Sequence, residues 1–529
     1  MNKIKTIRTI VLAAIVAYGT VSCNKYLDVL PDNRAELNTE EKIAKILVSA
    51  YPQQAYILSA EISSDNVDDY GVGNPNTERL LDELFYWKDV TEVDTDSPKL
   101  LWEACYKAIA SANEALNAIQ ELGNPTSLDA QRGEALVARA YNHFILVNIF
   151  AQHYSKQHSA ADLGITYMTA PEQTLNPSYK RNTVAEVYEN IKKDLETGIP
   201  LIQDGVYGNT PKFHFNKAAA NAFAARVALY TQDWGKAVSY ADAAIGINPT
   251  GNMRDNVALA GKGVGEVTPL AAFYASSSEK ANLLLQTAYS DAGLIFGNYY
   301  TGSRYSHGKI VSEKETFLSN TPWGTRTSSG YIPQVFRYSG TNIDKHLVAR
   351  VAYLFEFTDP VAQIGYRRAV YAPLTTEEAL LTRAEAYIMT NQYDKAVQDM
   401  RYWVNNNLVT PPTTFTVASI NTWANSLQYY TPQAPTPKKK LNPEFTIADA
   451  TQENLLHCVL FIRRLETMHT GLRWFDVKRY NIEVPRRVIT SAAAVGSVDD
   501  ANALKIRDNR MAIQLPQDVI AAGLEPNPR

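Results

Sequence analysis

Residues 228–238 read ALYTQDWGKAV, and residues 386–397 read AYIMTNQYDKAV. In each, an apolar segment ends in a short polar turn and a second segment opens on an aromatic. Trp234, Lys236, Ala237 and Val238 answer Tyr393, Lys395, Ala396 and Val397, with one residue of difference in the turn. Trp234, Ala237, Tyr240, Ala244 and Pro249 follow the second half of a tetratricopeptide repeat. Such units cannot bury a face alone and must stack. Trp234 and Tyr393 are 159 positions apart, so the copies are not in tandem and a long insert separates them.

Helical spacing extends outward from this pair. Val184, Tyr188, Ile191, Leu195, Ile199 and Ile202 lie on one face, as do Leu136, Ala140, Phe144, Val147 and Ala151. Ala218, Ala222, Ala225 and Leu229 repeat the rule with small residues, which permit close helix approach. The pattern predicts a mainly α fold with about four tetratricopeptide-type helix pairs. They fall near 98–152, 183–232, 234–247 with 376–391, and 393–405 with 452–480, a scaffold over about 98–247 and 376–480. Three stretches, about 60–98, 250–374 and 407–450, lack that periodicity and are expected to be irregular. Long loops on a rigid scaffold are where binding usually resides. The lysine triplet Lys438, Lys439 and Lys440 is expected on a solvated face.

The N-terminus carries Lys3, Lys5 and Arg8, then an apolar run from Thr9 to Ala17 that is too short to span a bilayer. It reads as an export signal. Cys23 follows small residues, the pattern of a bacterial lipoprotein, although Thr20 stands where an apolar residue is more usual. Residues 1–22 are therefore the expected signal peptide, 23–529 a single mature domain, and Cys23 the lipidation site. More than one acyl chain on that residue would give stable attachment.

The chain has 529 residues, 45% of them apolar, with 51 basic and 55 acidic side chains. Removal of residues 1–22 leaves 48 against 55, a charge of −7. That balance argues against a nucleic-acid binder. Tyr outnumbers Phe, 31 to 16, and Tyr suits wet binding surfaces. Cys105 and Cys458 sit in helix-like apolar contexts and read as buried small hydrophobes. There is no nucleophile elbow, phosphate loop or zinc-protease motif, and Gly261, Gly263 and Gly265 lack a strand-to-helix context. Asp65, Asp68 and Asp69 read as cap and turn residues. His153 and His158 are off one helical face. No catalytic residue, metal site or cofactor is expected, although a glycosidase can draw its two carboxylates from anywhere.

Several segments together resemble one family. They are Cys23-Asn24-Lys25-Tyr26-Leu27-Asp28 with Pro31, RGEALVARAY at 132–141, YENIKKDLE at 188–196, and Glu377-Glu378 with LTRAEAY at 381–387. RRLE at 463–466 and GLRWFDVKRY at 471–480 are the most specific, and Leu515-Pro516-Gln517 and Asn527-Pro528 close the chain. In this order they resemble the SusD/RagB outer-membrane nutrient-binding lipoproteins of the Bacteroidetes. The resemblance implies a SusD-like fold, a surface-exposed, lipid-anchored protein and no enzymatic activity. It also implies a SusC-type TonB-dependent transporter as partner, covered like a lid, and a glycan or oligopeptide ligand. A glycoside hydrolase or peptidase, and a scaffold that binds nothing, are the alternatives. The 471–480 motif is structural in that family, and Arg473, Asp476 and Arg479 are spaced to pair along one helix face.

Aromatics outside the helical pattern are the candidate ligand surface. Tyr299, Tyr300 and Tyr305 lie in a Gly/Ser-rich stretch, with Trp323 and Tyr331 beyond, and Tyr70 and Trp87 lie near the N-terminus. Asn298, Arg304 and Arg326 are the candidate donors, with Asp68 or Asp69. The most direct check of the N-terminal reading is Cys23→Ala. The substituted protein is expected to leave the membrane fraction; retention there in cells lacking the transporter would exclude the lipid anchor.

Overall fold

The structure is a computed structural model that describes residues 37–172, 174, 178–324, 330–341, 343–490 and 494–529; Cys23 and Arg326 lie outside them. Its main helices are α1 (Glu40–Leu47), α2 (Ile57–Ser63), α3 (Arg79–Phe85), α4 (Pro98–Glu121), α5 (Asp129–Phe150), α6 (Val184–Gly198) and α7 (Lys217–Tyr230). They continue with α8 (Trp234–Ile245), α9 (Thr376–Met389), α10 (Tyr393–Asn407), α11 (Val417–Ser426), α12 (Ala450–Glu466) and α13 (Leu472–Arg479). The starts are written locally. Ser97 caps α4 with Pro98 in its first turn, and Thr183 and Glu186 form a capping box on α6.

The two related segments form the same structure. Thr231, Gln232, Asp233 and Trp234 match Thr390, Asn391, Gln392 and Tyr393 in a turn of equal length. Gln232 and Asn391 are both left-handed, at φ 60° and 59°. The Thr231 hydroxyl donates to the Val227 carbonyl at 3.0 Å, and that of Thr390 to Ala386 at 2.9 Å. The one-residue difference expected in the turn therefore falls before it, inside α7 and α9. The copies also touch, because α8 packs on α9, so α7 to α10 form one continuous array. Arg383 of α9 ties it, with its fork on Asp399 at 2.8 Å and Nη1 on Asp242 at 2.7 Å.

Neighbour choice departs from two expected pairs. Helix α6 packs chiefly on α5 rather than α7, and α12 on α9 and α11 rather than α10. The first has a steric cause. Gly133 and Gly198 let α5 and α6 meet backbone to backbone, and a Cβ on Gly133 would lie 2.8 Å from the Gly198 carbonyl oxygen.

The stretch 250–374 is not irregular throughout. It contains β2 (Asn282–Tyr289) after β1 (Asp68–Asp69), then β3 (Tyr305–Ser306), β4 (Val335–Gly340), β5 (Ile343–Val348) and β6 (Ala352–Asp359). Strand β7 (Ile364–Thr375) leads into α9, and β8 (Val484–Ile489) and β9 (Val495–Leu504) follow α13. Strands β2, β7 and β6 form one sheet, β4 and β5 a hairpin, and the order β3-β1-β8-β9 a second sheet. Alternation in Tyr353, Phe355 and Phe357 against Leu354, Glu356 and Thr358 is the signal a search for helical spacing passes over.

Buried charges join these parts, against three expectations. Arg473 does not pair with Asp476; its fork grips Asp65 at 2.7 and 2.8 Å, and Asp476 is taken by Arg479 at 3.0 Å and by Arg463 at 3.7 Å. Asp65 and Asp68 are buried acceptors rather than turn residues, Asp68 being gripped by Arg487 at 2.8 and 2.9 Å. The lysine triplet is not solvated as a whole. Lys438 and Lys439 are buried, and Lys439 meets Glu315 at 2.7 Å. Glu315 also takes Arg464 at 3.2 Å and Arg487 at 2.9 Å. Cys105 and Cys458 are free and buried, as read. His153 and His158 lie in the loop after α5 and approach opposite oxygens of Glu444, at 3.0 and 3.1 Å, where Arg507 also sits at 2.8 Å.

Burial alone would raise the Glu315 carboxyl, but Lys439, Arg487 and Arg464 override it and bring it down to about 2. A carboxylate held below its unfolded value stabilises the fold above that value and stops doing so as pH falls. Stability is therefore expected to drop between about pH 4.5 and pH 2. Glu315→Gln should be destabilised at pH 7 by about 3–5 kcal/mol, as for other broken buried pairs, and should show a shallower acid slope in thermal melts. A wild-type slope in that variant would remove Glu315 from this role.

Candidate functional site

Strand β1 lies between β3 and β8, antiparallel to the first (Asp69 opposite Tyr305) and parallel to the second (Asp69 opposite Val488). It therefore brings the loop after residue 69 beside the loop that precedes residue 305. The Tyr70 amide donates to the Arg304 carbonyl at 2.7 Å, and Asn74 Nδ2 to the Ser303 hydroxyl at 3.1 Å.

Tyr299 and Tyr300 crown the second loop, 40% and 51% exposed. Their ring centres are 4.1 Å apart, and the Tyr299 ring stacks on Tyr338 of β4 at 5.3 Å and 27°. A hydrogen bond with Tyr300 raises the Tyr299 pKa. Three rings thus make one partly solvated apolar surface with hydroxyls at its edge. Asn298 shapes the turn by accepting from the Tyr300 amide at 2.7 Å.

The loop is pinned from beneath. Lys345 of β5 is buried without an acidic partner among the described residues, and its ammonium donates to the carbonyls of Ile295, Asn298 (2.8 Å) and Thr301 (2.7 Å). Burial pulls its pKa down to about 7. The sequence reading missed both Tyr338 and Lys345. Lys345 stands between Asp344 and His346 in the strand Ile343–Val348, a polar context that carries no signal of burial; only the structure shows that its ammonium must find acceptors.

The other expected ligand residues divide by burial. Trp87 is buried; its indole donates to the Ser63 carbonyl at 2.9 Å and lies 3.9 Å from the Arg486 guanidinium. Tyr305 is buried on Phe85, with its hydroxyl on Asp82 at 2.6 Å. Trp323 is buried 5.7 Å from both Trp403 and Phe461. These three rings are core, not platform, because each covers an apolar face that the inserts must close. Tyr331 is half-buried against Phe317 and Trp403. Tyr70, also half-buried, donates to Asp344 at 2.9 Å. Arg304 commits its fork to Asp69 at 2.9 and 3.0 Å. Asp69 also accepts from Tyr86 at 2.8 Å, so neither Asp68 nor Asp69 is free for a ligand. Arg326 lies outside the described residues.

Residues 25–229 match a SusD-like family described as starch-binding associating with outer membrane. The fold is similar to that of a putative sugar binding protein from Bacteroides vulgatus, at TM-score 0.65 and 17% identity over 93% of this chain and 99% of that one. A SusD superfamily protein from Bacteroides thetaiotaomicron matches at TM-score 0.60 and 17% identity, over 92% and 98%. A SusD-like carbohydrate binding protein from Bacteroides vulgatus matches at 0.59 and 15%, over 91% and 96%. At these identities the likeness to the solved structures is one of fold. No curated protein matches the sequence.

Two substitutions distinguish platform from core. Trp323→Ala is expected to lower stability by about 3–5 kcal/mol, as for other buried aromatics, when followed by urea unfolding. Lys345→Met leaves three carbonyls without a donor, at about 1–3 kcal/mol each, and should speed proteolysis and amide exchange around residues 295–301. A Lys345→Met protein with wild-type protection there would show that the loop holds itself.

Proposed function

Because the chain belongs to the SusD family, by its match over residues 25–229 and by its fold, we propose that it is a surface-exposed outer-membrane lipoprotein that binds an oligomeric glycan and delivers it to a SusC-type TonB-dependent transporter, which it covers as a lid. The observation that carries the ligand reading is the exposed Tyr299–Tyr300 pair stacked on Tyr338. The apolar face of a sugar ring stacks on such rings, while hydroxyls at their edge hydrogen-bond to it. The reading is of a binder without chemistry. The carboxylates beside the platform are engaged: Asp69 with Arg304, Asp82 with Tyr305 and Lys88, and Asp344 with Tyr70. A glycosidase needs two carboxyl groups facing a common bond.

Calorimetry of the purified protein against oligosaccharides tests this. Tyr299→Ala and Tyr300→Ala should each weaken binding by on the order of 1–3 kcal/mol with an unchanged melting temperature, since both rings are exposed. Wild-type affinity in both variants would place the site elsewhere. Binding of oligopeptides instead of glycans would make the protein a peptide-importer subunit. Co-purification from the native outer membrane tests the partner. A contact of roughly 1,200–2,000 Å² or more should hold a barrel transporter through isolation, and its absence would count against the lid.

A further inference from the structure

Helix α4, residues 166–172, Tyr179 and the C-terminal stretch 519–524 line a half-open cavity of about 510 Å³ that shares no residue with the tyrosine platform. Its volume lies in the range of small-molecule sites. Trp102, Ile109, Met168, Val519 and Leu524 give it an apolar interior. The polar groups in the wall are already satisfied. Tyr106 donates to the Thr166 carbonyl at 2.8 Å, and Asn113 donates to the carbonyls of Met168 and Ala170 at 3.2 and 3.3 Å. The Asn113 oxygen accepts from Arg139 at 2.9 Å. The lining therefore offers little to a sugar, whose hydroxyls need free partners. At the rim, Glu172 takes the Tyr179 hydroxyl. Lys107, exposed on α4, has no hydrogen bond or ion pair to its ammonium among the described residues.

We propose that this cavity is a second binding site, for a small amphipathic anion: an aromatic or branched-alkyl body within the apolar interior and a carboxylate or sulfonate held by Lys107. The assignment is independent of the glycan reading.

The probes are 8-anilinonaphthalene-1-sulfonate and its neutral relative N-phenyl-1-naphthylamine, titrated by fluorescence into the full chain. The wild type should bind one equivalent of each. Ala110→Trp and Ala522→Trp fill the cavity from two segments at exposed positions, so folding is spared, as a melting curve will verify. Each should weaken both probes by about tenfold or more, because the apolar volume is lost. Lys107→Glu should weaken the sulfonate by about fivefold and leave the neutral probe unchanged, since only charge is altered. Absence of saturable binding, undiminished binding in either tryptophan variant, or equal losses of the two probes in Lys107→Glu would each overturn the proposal.

Discussion

A buried knot of charge sets the geometry of everything else. Asp65, Asp68 and Glu315 face Lys439, Arg464, Arg473 and Arg487, with direct pairs up to 419 positions apart in the chain. Charges out of water are tolerable only when opposite charges face them at close range, and loss of one partner leaves the rest uncompensated. The knot therefore accepts one arrangement. It fastens the 61–69 segment to α12 and α13, and with it strand β1. Strand β1 sets β3 and the neighbouring loops, so the tyrosine platform inherits its position from ion pairs that contact no ligand.

A second knot does the same for the helices. Glu385 of α9 accepts from Arg463 at 2.6 Å, from the Tyr480 hydroxyl at 2.8 Å and from Arg479. This explains why the RRLE and GLRWFDVKRY segments are rich in arginine although buried. Arg463, Arg464 and Arg473 reach across the fold, and Arg479 does so while also holding Asp476 on its own helix. Spacing alone suggested a local ladder of Arg473, Asp476 and Arg479, and could not show that Asp65 outcompetes Asp476 for Arg473.

The helical part of the fold was legible because its information is local. Caps such as Thr183 with Glu186, periodic faces such as Val184 to Leu195, and the shared turn at Thr231 and Thr390 each act within a few residues. The strands were less so, since β1 and β3 are two residues long and exist only through their partners. The same limit governed the site. Tyr299, Tyr300 and Tyr305 lie in one Gly/Ser-rich segment, yet two face water and the third is sealed under Asp82 and Phe85. The loop that carries the exposed pair is held by Lys345, more than forty residues away in a different element. Trp87 and Trp323 were plausible for the same reason that they are wrong: an aromatic without helical company can equally be the plug of a loop.

The chain leaves the helical array after α8 and re-enters it at α9, against the helix it left. Everything between those points is an excursion: the array resumes on the far side of it as though α9 followed α8 directly. The excursion carries Glu315, the carboxylate that Lys439, Arg464 and Arg487 share. Any replacement for that excursion must bring an anion to the same spot, or four buried cations are left with Asp65 and Asp68 alone. Change in the segment is thus least constrained at its exposed loop tips and most constrained at this buried acid.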